Sequence, residues 1–109
     1  MSDTVRYNQF MSSRVPIDRL VWDDWNRDHI AKHEVTPREA EEVVAGDAMF
    51  QASYKQRFVV TGPTLAARML TVIIGPVPRE TGSFYVFSAR PASRQERRAY
   101  QQQHEGQIP

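Results

Sequence analysis

Apolar residues recur along this chain with two different periods, and the change comes near residue 46. The short extended run "RLVW" is followed by "DDWNRDHIAKH", where Trp25, His29 and His33 fall four residues apart with Trp22, Asn26 and Ile30 alongside. That spacing predicts an amphipathic helix, and the two leading aspartates suit its N-cap and first turn. In "TPREAEEVVAG" Thr36 is the expected N-cap and Pro37 takes the first helical position. Glu39 completes a capping box, and Gly46 is read as a left-handed stop. The apolar face of this second helix is Ala40, Val43 and Val44.

Beyond Gly46 the pattern becomes that of strands. "MFQASY", "RFVVT", "RMLTVIIG" and "SFYVFSA" are rich in β-branched and aromatic residues and are separated by turn-forming stretches. Four successive strands predict an antiparallel meander, with "YKQR" a tight connection, "GPTLAA" a longer one, and "PVPRETG" a loop kept out of any central strand by its prolines. "SRQE" is a second capping box, opening a final helix at Ser93 that fades in "QQQHEGQIP". Residues 1–17 lack periodicity and are expected to be a flexible arm, 18–103 a single domain, and 104–109 a flexible tail. The fold class is therefore α+β: two N-terminal helices on a curved antiparallel sheet of about four to five strands, with a C-terminal helix.

Composition narrows the class without naming a function. A chain of 109 residues, 40% hydrophobic and 25% charged, suits one compact domain. It has no cysteine, which excludes disulfides and thiolate metal sites. "MLTVIIGPV" is too short to span a membrane and the N-terminus lacks a secretory core, so a cytoplasmic protein with no membrane partner is expected. The net charge is only +1, but residues 1–50 hold six basic and ten acidic side chains, whereas residues 51–109 hold eight basic and three acidic. Such asymmetry makes either one anion-binding face or an internal pairing of an acidic helical layer with a basic sheet. The densest basic stretch is "SARPASRQERRAY", with Arg90, Arg94, Arg97 and Arg98 against Glu96 and few apolar residues.

These segments carry a resemblance. "WDDWNRDHIAKHEVTPREAEEVVAGD", then "RFVVTG", "RMLTVII" and "SARPASRQERRAY" resemble, in order and spacing, the BrnT toxins of bacterial type II toxin-antitoxin systems, which are similar to the RelE family of ribonucleases. The likeness covers about residues 22–103. It implies a metal-independent endoribonuclease that cleaves RNA and inhibits translation and growth, a BrnA-like cognate antitoxin as partner, a possible higher-order toxin-antitoxin complex, and no cofactor. One position departs from the family: Glu34 stands where a glycine is usual, in a turn whose left-handed backbone costs glutamate about 1 kcal/mol.

Cleavage through the 2′-hydroxyl of RNA needs in-line orientation, a proton acceptor, a cation for the extra charge, and a proton donor for the leaving oxygen. Under this resemblance Arg90, at the exit of a strand over 83–89, is the first choice for the scissile phosphate, because a guanidinium makes paired hydrogen bonds to phosphate. Lys55 and Arg57 flank the first hairpin turn and add to the cluster, and Arg94, Arg97 and Arg98 would track the RNA backbone. Glu96, Tyr100, Lys55 and His33 are the unranked candidates for proton transfer. The plain alternatives are a solvated helix face for the arginines, and a noncatalytic binding module that docks an acidic protein or RNA. His29 and His33 have a metal-ligand spacing without a third ligand, so no metal site is expected. Trp22, Trp25, Phe58 and Tyr85 are expected to serve as core.

Overall fold

The computed structural model describes residues 16–105. The predicted arm and tail fall outside the described residues, except that Ile17 packs against the core and the last helix runs on through Glu105. The elements are β1 (Arg19–Val21), α1 (Asp24–Ala31), α2 (Pro37–Ala45), β2 (Met49–Ala52), a 3-10 turn (Tyr54–Gln56), β3 (Phe58–Pro63), β4 (Met69–Pro76), β5 (Ser83–Pro91) and α3 (Arg94–Glu105). The strands form one sheet in the order β1-β5-β4-β3-β2. The meander from β2 to β5 is antiparallel as its pattern predicts. The departure is β1, which lies parallel to β5 at the edge, with Leu20 opposite Phe84. No hairpin can join parallel neighbours; the crossover here is the whole run from α1 to β4.

Both helix starts follow local chemistry. Asp23 and Asn26 form a reciprocal box at α1, and Thr36 and Glu39 form the expected one at α2. Glu34, between the helices, adopts φ 61, so the left-handed turn survives without glycine. The Arg68 guanidinium braces it, donating to the Glu34 carbonyl at 2.8 Å and to both oxygens of Glu39 at 3.1 Å. Gly46 corrects one expectation: its φ is −93 and ψ −151, which is not left-handed. Its N–H donates to the Val43 carbonyl, and an added Cβ would lie 3.0 Å from the Glu42 carbonyl, so close approach favours glycine there.

Side chains alternate across the sheet, and the two faces differ. Val60, Leu70, Val72, Ile74, Phe84, Val86 and Ala89 meet Ile30, Val35, Ala40, Val43 and Val44, so α1 and α2 cover the first face. Asn26 is fully buried and spends its amide on two sheet carbonyls, Val21 and Val86, each at 3.0 Å. That fastens α1 to the β1-β5 pair and fixes which side of the helix faces inward. Trp22 and Phe58 pack on this core as expected. Trp25, one step around the helix, does not: it is 58% exposed and stacks on His29.

The second face carries Thr61 and Thr71, both fully buried and hydrogen-bonded to each other at 3.0 Å, and α3 covers them. Glu96 on α3 accepts from the Thr71 hydroxyl. The expected capping box at Ser93 is present, with Ser93 and Glu96 each accepting from the other's backbone N–H. Further along, the Tyr100 hydroxyl donates to the Asp47 carbonyl and His104 meets the Asp47 carboxylate at 2.9 Å. Polar contacts, rather than an apolar stripe, hold α3 to the domain.

Candidate functional site

Helix α3 covers only the half of the second face around Thr61 and Thr71. The other half carries Val59 and Ile73, both partly exposed, with Phe87 and Ser88 from β5. Ile73 pairs with Ser88 and Ile74 with Val86, which makes Phe87 the extra residue of a β-bulge. A bulge re-aims a side chain. Here it lays Phe87 beside Gly75, where an added Cβ would come within 2.9 Å of the Phe87 ring and 3.4 Å of the Arg57 Cγ. The bare glycine lets the arginine lie over the phenyl ring, its Cζ 3.8 Å from the ring centroid.

Arg57 reaches this position from the turn before β3. The turn is closed by the Ser53 N–H on the Arg57 carbonyl at 2.8 Å and the Arg57 N–H on the Tyr54 carbonyl at 3.1 Å. Lys55 and Gln56 within it have φ 58 and 62, a left-handed pair that non-glycine residues adopt at a cost. Among the described residues no carboxylate pairs with Arg57 or Lys55. Arg57 is thus held flat by stacking while its hydrogen-bonding edge stays available, a geometry suited to a phosphate.

Arg90 is placed differently from the expectation. It lies within β5, opposite Thr71, rather than beyond the strand end. Its guanidinium makes two parallel bonds to Glu96, each 2.8 Å, and the two side chains are 35% and 20% exposed. Arg90 first, then the Ser93 N–H and the Thr71 hydroxyl, hold the Glu96 carboxyl at about 2 against the opposing effect of burial. A carboxylate so acidic is a poor proton shuttle at neutral pH. It closes the helix start and neutralises Arg90.

The other sequence candidates separate in space. The Tyr100 phenol is raised above its ordinary value by burial and then by Asp47, and it donates to a backbone carbonyl as an anchor. His33 ends a ladder on α1, edge-on to His29 at 5.7 Å, with His29 stacked on Trp25 at 4.8 Å. Among the described residues no group of three or more His, Cys, Asp or Glu converges as a metal site would require. Arg94, Arg97 and Arg98 are all exposed with no ion pair among the described residues, and Arg97 also donates to the Ala92 carbonyl at 2.9 Å. Of the nine candidates, only Lys55 and Arg57 stand together at the open half of the sheet.

The search of solved structures finds a likeness to the crystal structure of the Brucella abortus ribonuclease toxin BrnT, with a TM-score of 0.54 and 27% sequence identity, covering 69% of this chain and 96% of that one. The chain has a BrnT-like fold. No protein-family model matches it. No curated protein matches it either. Three helices and a mostly antiparallel five-stranded sheet are what the family resemblance implied.

Within this BrnT-like frame three aromatic residues went unrecognised as part of the site. Phe87 supports Arg57, and Tyr85 meets Phe87 at 5.1 Å between centroids. Tyr85 was expected in the core, but its pairing with Gly75 puts it on the second face, where its hydroxyl donates to Asp23 at 3.0 Å. Burial, then Asp23, raises its phenol above the ordinary value. Tyr54, 69% exposed, has Lys55 Nζ and Arg57 Cζ each 5.9 Å from its centroid. The sequence signal for Tyr54 was its place beside Lys55 in "YKQR"; Phe87 keeps step with Tyr85, two residues earlier, but the period alone does not tell which face of the sheet stays open.

Proposed function

We propose that this protein is a toxin of the BrnT kind, a metal-independent endoribonuclease whose site is the open half of the second sheet face. The likeness to a ribonuclease toxin supports this reading. The observation that carries it is Arg57, stacked on Phe87 with its donors free of any carboxylate among the described residues. In this reading Arg57 binds the scissile phosphate and stabilises the charge that grows on its oxygens. The 2′-hydroxyl loses its proton to solvent as it attacks phosphorus, the bond to the 5′-oxygen breaks, and the Lys55 ammonium protonates the released oxygen.

Arg90, the first choice from sequence, becomes a structural residue that ties α3 to β5 through Glu96. A cognate antitoxin is proposed to cover Arg94, Arg97 and Arg98, exposed cations of α3, through an acidic surface. Residues 18–103 are taken as the functional domain, at work in the cytoplasm; among the described residues no helix is long and apolar enough to cross a membrane.

The test is to incubate the purified protein with RNA in EDTA. Cleavage leaving 2′,3′-cyclic phosphate ends, and its absence from a strand with 2′-deoxyribose at the cut position, is the expected result. RNA bound but left intact establishes the noncatalytic binding module instead. Cleavage lost in EDTA and restored by a divalent ion overturns the metal-independent mechanism.

A further inference from the structure

Tyr54 is a large hydrophobic side chain left 69% exposed at the tip of the β2-β3 turn, and nothing in the domain core requires it there. It also lies beside the two cations assigned to the RNA. Lys55 and Arg57 stand 5.9 Å from its centroid, the outer limit of a cation-π contact, so neither closes over the ring as Arg57 does over Phe87 at 3.8 Å. The left-handed pair at Lys55 and Gln56 holds this arrangement in a short closed turn without a single glycine. An exposed aromatic face with cations beside it is the combination that takes unpaired nucleotides: the base stacks and the phosphates meet the charges.

We infer that Tyr54 is the stacking platform for an unpaired base next to the phosphate on Arg57, and that the substrate is therefore single-stranded RNA. This rests on the reading of the site as RNA-cleaving. Bases inside an A-form duplex are already stacked and present no face to a protein ring, whereas an unpaired strand can lay one on Tyr54. The ring selects no particular base, because every base has a π-face.

Binding is measured by fluorescence anisotropy with a labelled 2′-O-methyl strand, which cannot be cleaved, free and annealed to its complement. The wild type is expected to favour the single strand. Tyr54→Ala should weaken single-strand binding about tenfold to a hundredfold with little effect on the duplex, while Tyr54→Phe, which keeps the ring, restores it. Leu65→Ala removes an even more exposed apolar residue, beyond the far end of β3, and should change nothing. Tyr54→Ala binding like wild type, or losing as much on the duplex, overturns the platform even if the wild type cleaves RNA. Should ordinary RNA stay uncut while this binding pattern holds, the ribonuclease reading falls and the stacking site stands.

Discussion

Arg57, from the turn before β3, and Arg90, within β5, lie over the same face of one sheet, yet they are held in opposite ways. Arg90 sits beneath α3, where Glu96 answers its guanidinium with a bidentate pair and closes the helix start with the same carboxylate. Arg57 sits on the uncovered half, where its support is the Phe87 ring. An aromatic ring fixes the plane of a guanidinium without occupying its N–H donors, whereas a carboxylate fixes it by occupying them. The difference teaches that charge density in a sequence marks where cations are, not where they are available. The arginine-dense stretch contributes Arg90 and Arg97 to building the domain.

The sharpest way to break this comparison is to remove each arginine in turn. Arg57→Ala is expected to lower RNA cleavage by about a hundredfold or more, as loss of a charge-stabilising donor does, while thermal unfolding shows little change. Arg90→Ala should do the reverse. It leaves a partly buried Glu96 without its main partner, so unfolding in urea should show a loss of about 1.5–3 kcal/mol, with activity falling only in proportion to folded protein. If Arg90→Ala abolishes cleavage in a fully folded protein, the two residues have been assigned the wrong way round.

A smaller effect sharpens the structural side. The Glu96 carboxyl is held at about 2, below its ordinary 4.5. A depressed carboxylate contributes stability that is fully present above its unfolded value and lost as the pH falls toward the folded one. Thermal stability should therefore drop as the pH falls from about 4.5 toward 2, and Glu96→Gln should flatten part of that slope. Only part is expected, because the carboxyls of Asp23, held down chiefly by the Asn26 N–H, and Glu39, held down chiefly by the Thr36 N–H, are lowered as well. An unchanged slope in Glu96→Gln means that the pair with Arg90 does not persist in solution.

Helix starts were legible in the sequence because both partners lie within one turn of chain, whereas the left-handed stop expected at Gly46 was not found. The capping boxes at Thr36 and Ser93 follow from residues three apart and the strands from alternation, and each is found in the fold; the left-handed turn at Glu34 was expected from the family resemblance. The same reading could not choose between two adjacent stripes of α1. Asn26 with Ile30, and Trp25 with His29, have the same helical spacing, and only the sheet carbonyls of Val21 and Val86 turned the first pair inward. Nor could it place Ser88 and Arg90, since the bulge at Phe87, opposite Ile73 and Ile74, puts the later residues of β5 out of step with the earlier ones.

By itself the sequence therefore determined the order of helices and strands, the helix N-caps, and the presence of excess positive charge in the second half of the chain. These depend on spacing and side-chain type alone. Tertiary structure decided which cations remain free. Arg90 meets Glu96 only because β5 and α3 are joined by a two-residue step that folds the helix back over the sheet. Arg57 meets Phe87 only because β3 and β5 flank β4 at Gly75, where the missing side chain leaves room for both. Partners 30 residues apart in sequence, as Arg57 and Phe87 are, become neighbours through strand register, and register is a property of the assembled sheet.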